Sequence, residues 1–208
     1  MKSKKLFTSE SVTEGHPDKV CDQISDAVLD ACFKEDPASR VACEVFASTN
    51  LIVVGGEITT KANLDIEKIV RSTLSKIGYI NKEWGIDAAT CQILNFIKPQ
   101  SPDIAMGVSK KDGEIGAGDQ GMMLGFACKE TLSLMPLPIH LAHQLTFRLS
   151  QARKKAEIKW LRPDGKSQVT VEYNDDKPKR VGAVIVSTQH DPKVHHKEIV
   201  ETVKEKII

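Results

Sequence analysis

The chain has 208 residues, enough for one large or two ordinary domains with a sizeable core. Its 29 Lys and Arg stand against 28 Asp and Glu, a net charge of +1, so there is no electrostatic footprint for nucleic acid or an anionic membrane. No apolar run approaches the roughly 20 residues that span a bilayer, and the start of the chain lacks the apolar core of a signal peptide. Cys21, Cys32, Cys43, Cys91 and Cys128 are scattered without a CxxC pair, as buried thiols in a reducing compartment would be, and a soluble cytoplasmic protein is expected.

Leu6 to Val12 reads as a short first strand. From Pro17 onward Val20, Ile24, Ala27, Val28 and Ala31 recur at helical spacing, and a proline just inside the start suits a helix N-terminus. The helix therefore opens at His16-Pro17. Its unpaired N–H groups and positive dipole end attract an anion, and Asp18 in the first turn is available to a hard cation such as Mg²⁺. The plainer reading leaves His16 as a cap and Asp18 as a complement to the dipole.

Arg40–Ser48 and Leu51–Thr59, rich in Val and Ile and separated by Thr49-Asn50, predict a hairpin. Asp65–Ile77 predicts a second helix closed by Gly78, and Thr90–Ile97 a further strand. The order is thus βαββαβ. After a break the pattern restarts, with Gly121–Cys128 as a strand, Pro136 to about Ala156 as a helix, a hairpin of Gln168–Tyr173 and Val181–Ser187, and a helix from Val194 to Ile208. The expected fold is α+β, built from repeated βαββαβ units with mixed and antiparallel sheets and helices on one face. The second unit lacks a closing strand by this analogy, as a fragment would. Expected domains are 1–101 and 121–208, joined by a loop over 102–120. A glycine-rich loop of that length is a lid or a linker, and Gln100 and Asp119 flank it.

Gly116-Ala117-Gly118-Asp119-Gln120-Gly121 matches GxGxxG, but a dinucleotide turn must follow a buried strand and open a helix, and here a charged run precedes it. The glycines still allow close backbone approach to a ligand and let Asp119 reach a site. Glu44 and Glu57 sit among apolar neighbours on the two hairpin strands. Either both face solvent, or, turned inward, Glu44 suits a monovalent or hard cation and Glu57 an ammonium group. Trp160 to Ser167 reads as a polar turn around Pro163-Asp164-Gly165, with Arg162 and Lys166 available to phosphate. His140 and His143 lack the spacing of a zinc protease, and His195-His196 reads as helix surface.

Six segments carry a resemblance together: Phe7 to Lys19, Gly55 to Thr60, Gln100 to Ile104, Gly116 to Gly121, Trp160 to Val169 and Ser187 to His190. In this order they resemble S-adenosylmethionine synthetases, also called methionine adenosyltransferases. The resemblance implies an enzyme that joins ATP and L-methionine by attack of the methionine sulfur on C5′ and then hydrolyses the triphosphate to phosphate and diphosphate. It implies His16 and Lys166 as catalytic contacts to the triphosphate, with Asp164, Gly165 and Asp119 as further ATP contacts. Glu57 and Gln100 match methionine-binding positions, Asp18 a magnesium ligand and Glu44 a potassium ligand. It also implies a dimer or tetramer and a mobile lid after Gln100. Members contain a third repeat, so this chain is expected to have little activity alone. The alternative is a non-catalytic homologue that docks on a complete synthetase and regulates it.

Overall fold

The computed structural model describes residues 4–100 and 121–208. The protein is α+β, with two three-stranded sheets. In chain order the elements are β1 (Lys4–Val12), α1 (Pro17–Glu35), β2 (Arg40–Ser48), β3 (Leu51–Thr59), α2 (Ile66–Ile77), β4 (Gln92–Lys98), α3 (Leu137–Lys154), β5 (Leu161–Asn174), β6 (Lys177–His190) and α4 (His196–Lys206). Two compact units interleave along the sequence. One takes residues 1–20, 77–79 and 126–208, the other 21–76 and 80–125.

The unit holding residues 21–76 and 80–125 contains the β2-β3-β4 sheet. β2 and β3 pair antiparallel around Thr49-Asn50, with Asn50 at φ 52°, and β4 runs parallel to β3. Alternation decides the faces. Ile52, Val54 and Ile58 are buried, as are Ile24, Val28 and Cys32 of α1 and Val70 and Leu74 of α2. The opposite face stays open, with Phe46 and Phe96 each more than half exposed. A Cβ at Gly56, whose φ is +127°, would lie 2.1 Å from the Ala42 carbonyl oxygen, so the ladder admits only glycine there.

The other unit is built on the β1-β5-β6 sheet, all antiparallel. β1 therefore does not join the hairpin that follows it in sequence; it pairs with β5 from Lys4↔Asn174 to Val12↔Lys166. β5 and β6 turn through Asp175-Asp176, both at positive φ as a type I′ hairpin requires. Along β5 the residues Leu161, Pro163, Gly165, Ser167, Val169 and Val171 are buried, and Val169, Val171 and Tyr173 pack with Ala142 of α3. A second cluster joins Leu149 and Ala152 to Leu161, Val203 and Ile207.

Two expectations are corrected. Trp160–Ser167 is not a turn ahead of a strand, because β5 already begins at Leu161 and the Pro163-Asp164-Gly165 stretch is an irregular strand with a register shift against β6. Gly121–Cys128 is not a strand. Met122, Met123 and Leu124 are 84–89% exposed, so the apolar run found no face to bury and, among the described residues, no ladder to join. The expected loop over 102–120 lies outside the described residues, and with it Asp119.

A Cβ on Gly15 would stand 2.3–2.4 Å from the backbone and side chain of Pro163, whereas one on Gly125 would meet nothing within 4 Å. Gly15→Ala should lower unfolding free energy by about 1–3 kcal/mol, the cost of overpacking against rigid backbone. Gly125→Ala should change it little, and urea denaturation of both variants checks the contrast.

Candidate functional site

The site grows out of the pairing of β1 with β5. Beyond the last ladder partners, Val12↔Lys166, the Thr13 N–H donates to the Gly165 carbonyl at 2.8 Å and the Thr13 hydroxyl to the Pro163 carbonyl at 2.7 Å. Gly15 then presses on Pro163, and the chain turns into α1 with His16 N–H donating to Thr13 O at 3.1 Å. The His16 carbonyl accepts the first helical bond from Val20 N–H at 2.8 Å, which makes His16 the N-cap. Its Nδ1 also accepts from the Asp18 N–H at 3.3 Å. With Nδ1 an acceptor, the neutral ring carries its proton on Nε2, a donor suited to an anion.

Strand alternation supplies the other wall. Because Pro163, Gly165 and Ser167 face α3, Asp164 and Lys166 share the open face with Glu10 and Val12 of β1. Glu10, diagonal to Lys166 across the ladder, accepts from its ammonium at 2.5 Å. Both are about half exposed, so the pair adds little stability and a phosphate oxygen can compete for Lys166. Together Glu10, Ser11, Val12, His16, Asp18, Lys19, His143 and Lys166 line a cleft of about 430 Å³. His143 is held by Ser11, whose hydroxyl lies 2.7 Å from Nδ1 and 3.1 Å from Thr146.

Asp164 stands beside this cleft, half buried. Burial holds its carboxyl above the ordinary value of 3.8, while the neighbouring His16 and the Gly165 N–H pull the other way. The Asp18 carboxylate is 90% exposed, with His16 Nδ1 at 3.8 Å. It is a hard oxygen donor at a helix N-terminus, and Glu10 is a second carboxylate in the same cleft. The described residues contain no cluster of three or more metal-ligating side chains. One or two carboxylate oxygens fit Mg²⁺, which keeps waters and takes phosphate oxygens to complete its shell.

His16, Asp18, Asp164, Gly165 and Lys166 are thus brought together by the β1-α1 and β5 segments. Glu44 and Glu57 lie in the other unit, both exposed on the open sheet face that carries Phe46 and Phe96, and neither is turned inward. Gln100 follows β4, and its side-chain oxygen is buried with no hydrogen-bond partner among the described residues. Glu10 and His143 belong to the cleft but were not singled out as site residues by the sequence. Glu10 falls in the motif already quoted, and its role appears only once β1 is laid against β5. A wider surface depression of about 630 Å³ lies along α2, but its Arg71 is already committed to Glu67 and to the Ala88 and Cys91 carbonyls.

A helix N-terminus, a donor imidazole, two lysines and carboxylates thus line one cleft. Residues 4–102 match the S-adenosylmethionine synthetase N-terminal domain, and residues 114–208 match the central domain of the same family. The S-adenosylmethionine synthase of Brachyspira hyodysenteriae is 56% identical over 211 residues, which cover 97% of this chain and 54% of that relative. The chain belongs to the S-adenosylmethionine synthetase family and spans about half the length of this curated relative.

The Asp164 shift has a definite sign. Above pH 3.8 the unfolded carboxyl has lost its proton while the folded one still holds it, so native protein binds more protons and stability falls as pH rises through the raised folded value. Asp164→Asn should therefore gain stability relative to the parent across that window and hold a constant advantage above it. Thermal unfolding midpoints of both proteins from pH 3 to about 7 give the comparison.

Proposed function

We propose that the chain forms the triphosphate-handling part of a methionine adenosyltransferase, which makes S-adenosyl-L-methionine from ATP and L-methionine. The convergence of His16, Lys19, Lys166 and the α1 N-terminus on one cleft carries this reading. The methionine sulfur forms a bond to C5′ as the C5′–O5′ bond breaks, and the electron pair leaves on the triphosphate. A thioether has no proton to lose, so no general base is needed. The requirement is in-line positioning and stabilisation of charge on the departing oxygen.

In this assignment His16 donates from Nε2 to the triphosphate and Lys166 exchanges Glu10 for a phosphate oxygen. Asp164 and the Gly165 backbone contact the nucleotide, together with Asp119. Asp18 holds Mg²⁺, which when bound supplies charge neutralisation for the polyphosphate. Glu44 offers a potassium ion one oxygen from an exposed sheet face, and Glu57 and Gln100 take methionine. The buried side-chain oxygen of Gln100, without a partner among the described residues, supports a polar ligand there. Water then cleaves the triphosphate to phosphate and diphosphate. A homo-oligomer suits the open β2-β3-β4 face with its exposed Phe46 and Phe96. Cytoplasmic residence suits five free cysteines, and none of the helices among the described residues is long and apolar enough to cross a membrane.

Titration calorimetry of the 208-residue chain with tripolyphosphate, with and without Mg²⁺, tests the assignment. Lys166→Ala should weaken binding about tenfold, the scale of one charge-assisted contact. Asp18→Asn should remove the Mg²⁺-dependent gain while leaving metal-free binding close to the parent. Absence of any polyphosphate binding by the parent chain would sink the reading.

A further inference from the structure

Three residues, Ile77-Gly78-Tyr79, belong to the β1-β5-β6 unit, although the residues immediately before and after them belong to the other unit. They meet the two residues that precede His16. The Tyr79 hydroxyl donates to the Gly15 carbonyl in a short hydrogen bond, and the ring is only 3% exposed. Gly78 sits at φ +109° as the residue that ends α2, and the space a Cβ would need is filled by the Arg153 guanidinium, 2.4 Å away. That guanidinium donates to the Ile77 carbonyl at 2.7 Å and also to Glu14 Oε1. Lys154 binds the second Glu14 oxygen at 2.6 Å. Glu14 and Gly15 are thus each tied to the Ile77–Tyr79 segment, Glu14 through Arg153 and Gly15 through the Tyr79 hydroxyl.

We propose that Tyr79 and Arg153 are positioning residues that hold the Glu14-Gly15 link so that His16 caps α1 with Nδ1 on the Asp18 N–H and its Nε2 proton free for an anion. Thr13 and Gly15 fix one side of the link against Pro163 and Gly165; without the Tyr79 bond the Gly15 carbonyl loses its donor and the other side is free to rotate. Burial holds the Tyr79 phenol well above its ordinary pKa, with the nearby Asp164 charge adding to the effect, so the hydroxyl remains a donor throughout the working pH range. The inference rests on the proposed function only in taking the His16 partner to be a polyphosphate.

The test uses the 208-residue chain labelled with ¹⁵N-histidine, with the His16 ring signals assigned by their loss in His16→Gln. In the parent the two ring nitrogens should show the widely separated shifts of an Nε2–H tautomer. Tyr79→Phe should bring those shifts together as tautomers mix, and weaken tripolyphosphate binding about three- to tenfold, the scale of one lost hydrogen bond. Arg153→Lys, which keeps the charge but removes the fork, should move the same signals. If both variants lower the thermal midpoint while the His16 nitrogens and the affinity stay at parent values, the two residues are merely structural and the proposal fails. If the parent binds no tripolyphosphate but Tyr79→Phe still shifts the His16 nitrogens, the positioning role stands and the functional assignment falls.

Discussion

The antiparallel pairing of β1 with β5 is the constraint on which the site depends. Its register places Val12 opposite Lys166, so that Glu10 and Lys166 share a face, and the continuation through Thr13 to Gly165 and Pro163 delivers the start of α1 to Asp164. Side chains alternate along a strand, so a slip of one residue would turn Glu10 toward α3 and Ser11 away from His143 and Thr146. Gly15 against Pro163 acts as a stop for that register, because no residue with a side chain fits the contact. A helix N-terminus alone is an ordinary feature. Held beside Lys166 and Asp164 by a strand ladder, it becomes one wall of a cleft.

The titratable groups of the described residues suit the chemistry assigned to them. Burial raises the thiols of Cys32, Cys43 and Cys91, with Cys43 pushed up to about 11, so none is a thiolate near neutral pH. The phenols of Tyr79 and Tyr173 are also held up by burial. Held protonated near neutral pH, these groups offer neither a nucleophile nor a base there. A reaction in which a neutral thioether attacks carbon and an anion departs makes no demand on them.

Much of the fold could be read locally. The start of α1 at Pro17, the Thr49-Asn50 hairpin and Gly78 at the end of α2 are all fixed by residues within a turn of the feature, and the structure has all three. What failed had distant causes. Pro163-Asp164-Gly165 has the composition of a turn, but the hydrogen bonds from the Thr13 N–H and hydroxyl and the close approach of Gly15 hold it extended. Gly121–Cys128 has the composition of a strand, and strand character is realised only where a partner edge exists. The site was legible as residue types in His16, Asp18, Asp164 and Lys166. Their meeting was not legible from spacing, and Glu10 and Tyr79 gained roles only from it. Glu44 and Glu57 left the choice of face open because alternation in an apolar strand is silent when the opposite face is also partly apolar.

β1 leaves the ribosome well before the strand it pairs with, β5. Thr13 and Pro163 are 150 residues apart, and between them lies all of the other unit. Non-local pairing must bear the entropy of closing that loop before any ladder bond forms, which makes it slow compared with the local β2-β3 hairpin. During synthesis β1 has no partner edge until β5 is made, while the residues that follow can already assemble around α1 and α2. The cleft between the start of α1 and Lys166 is therefore a late product of folding, and its presence reports that the chain has been made at least as far as β5.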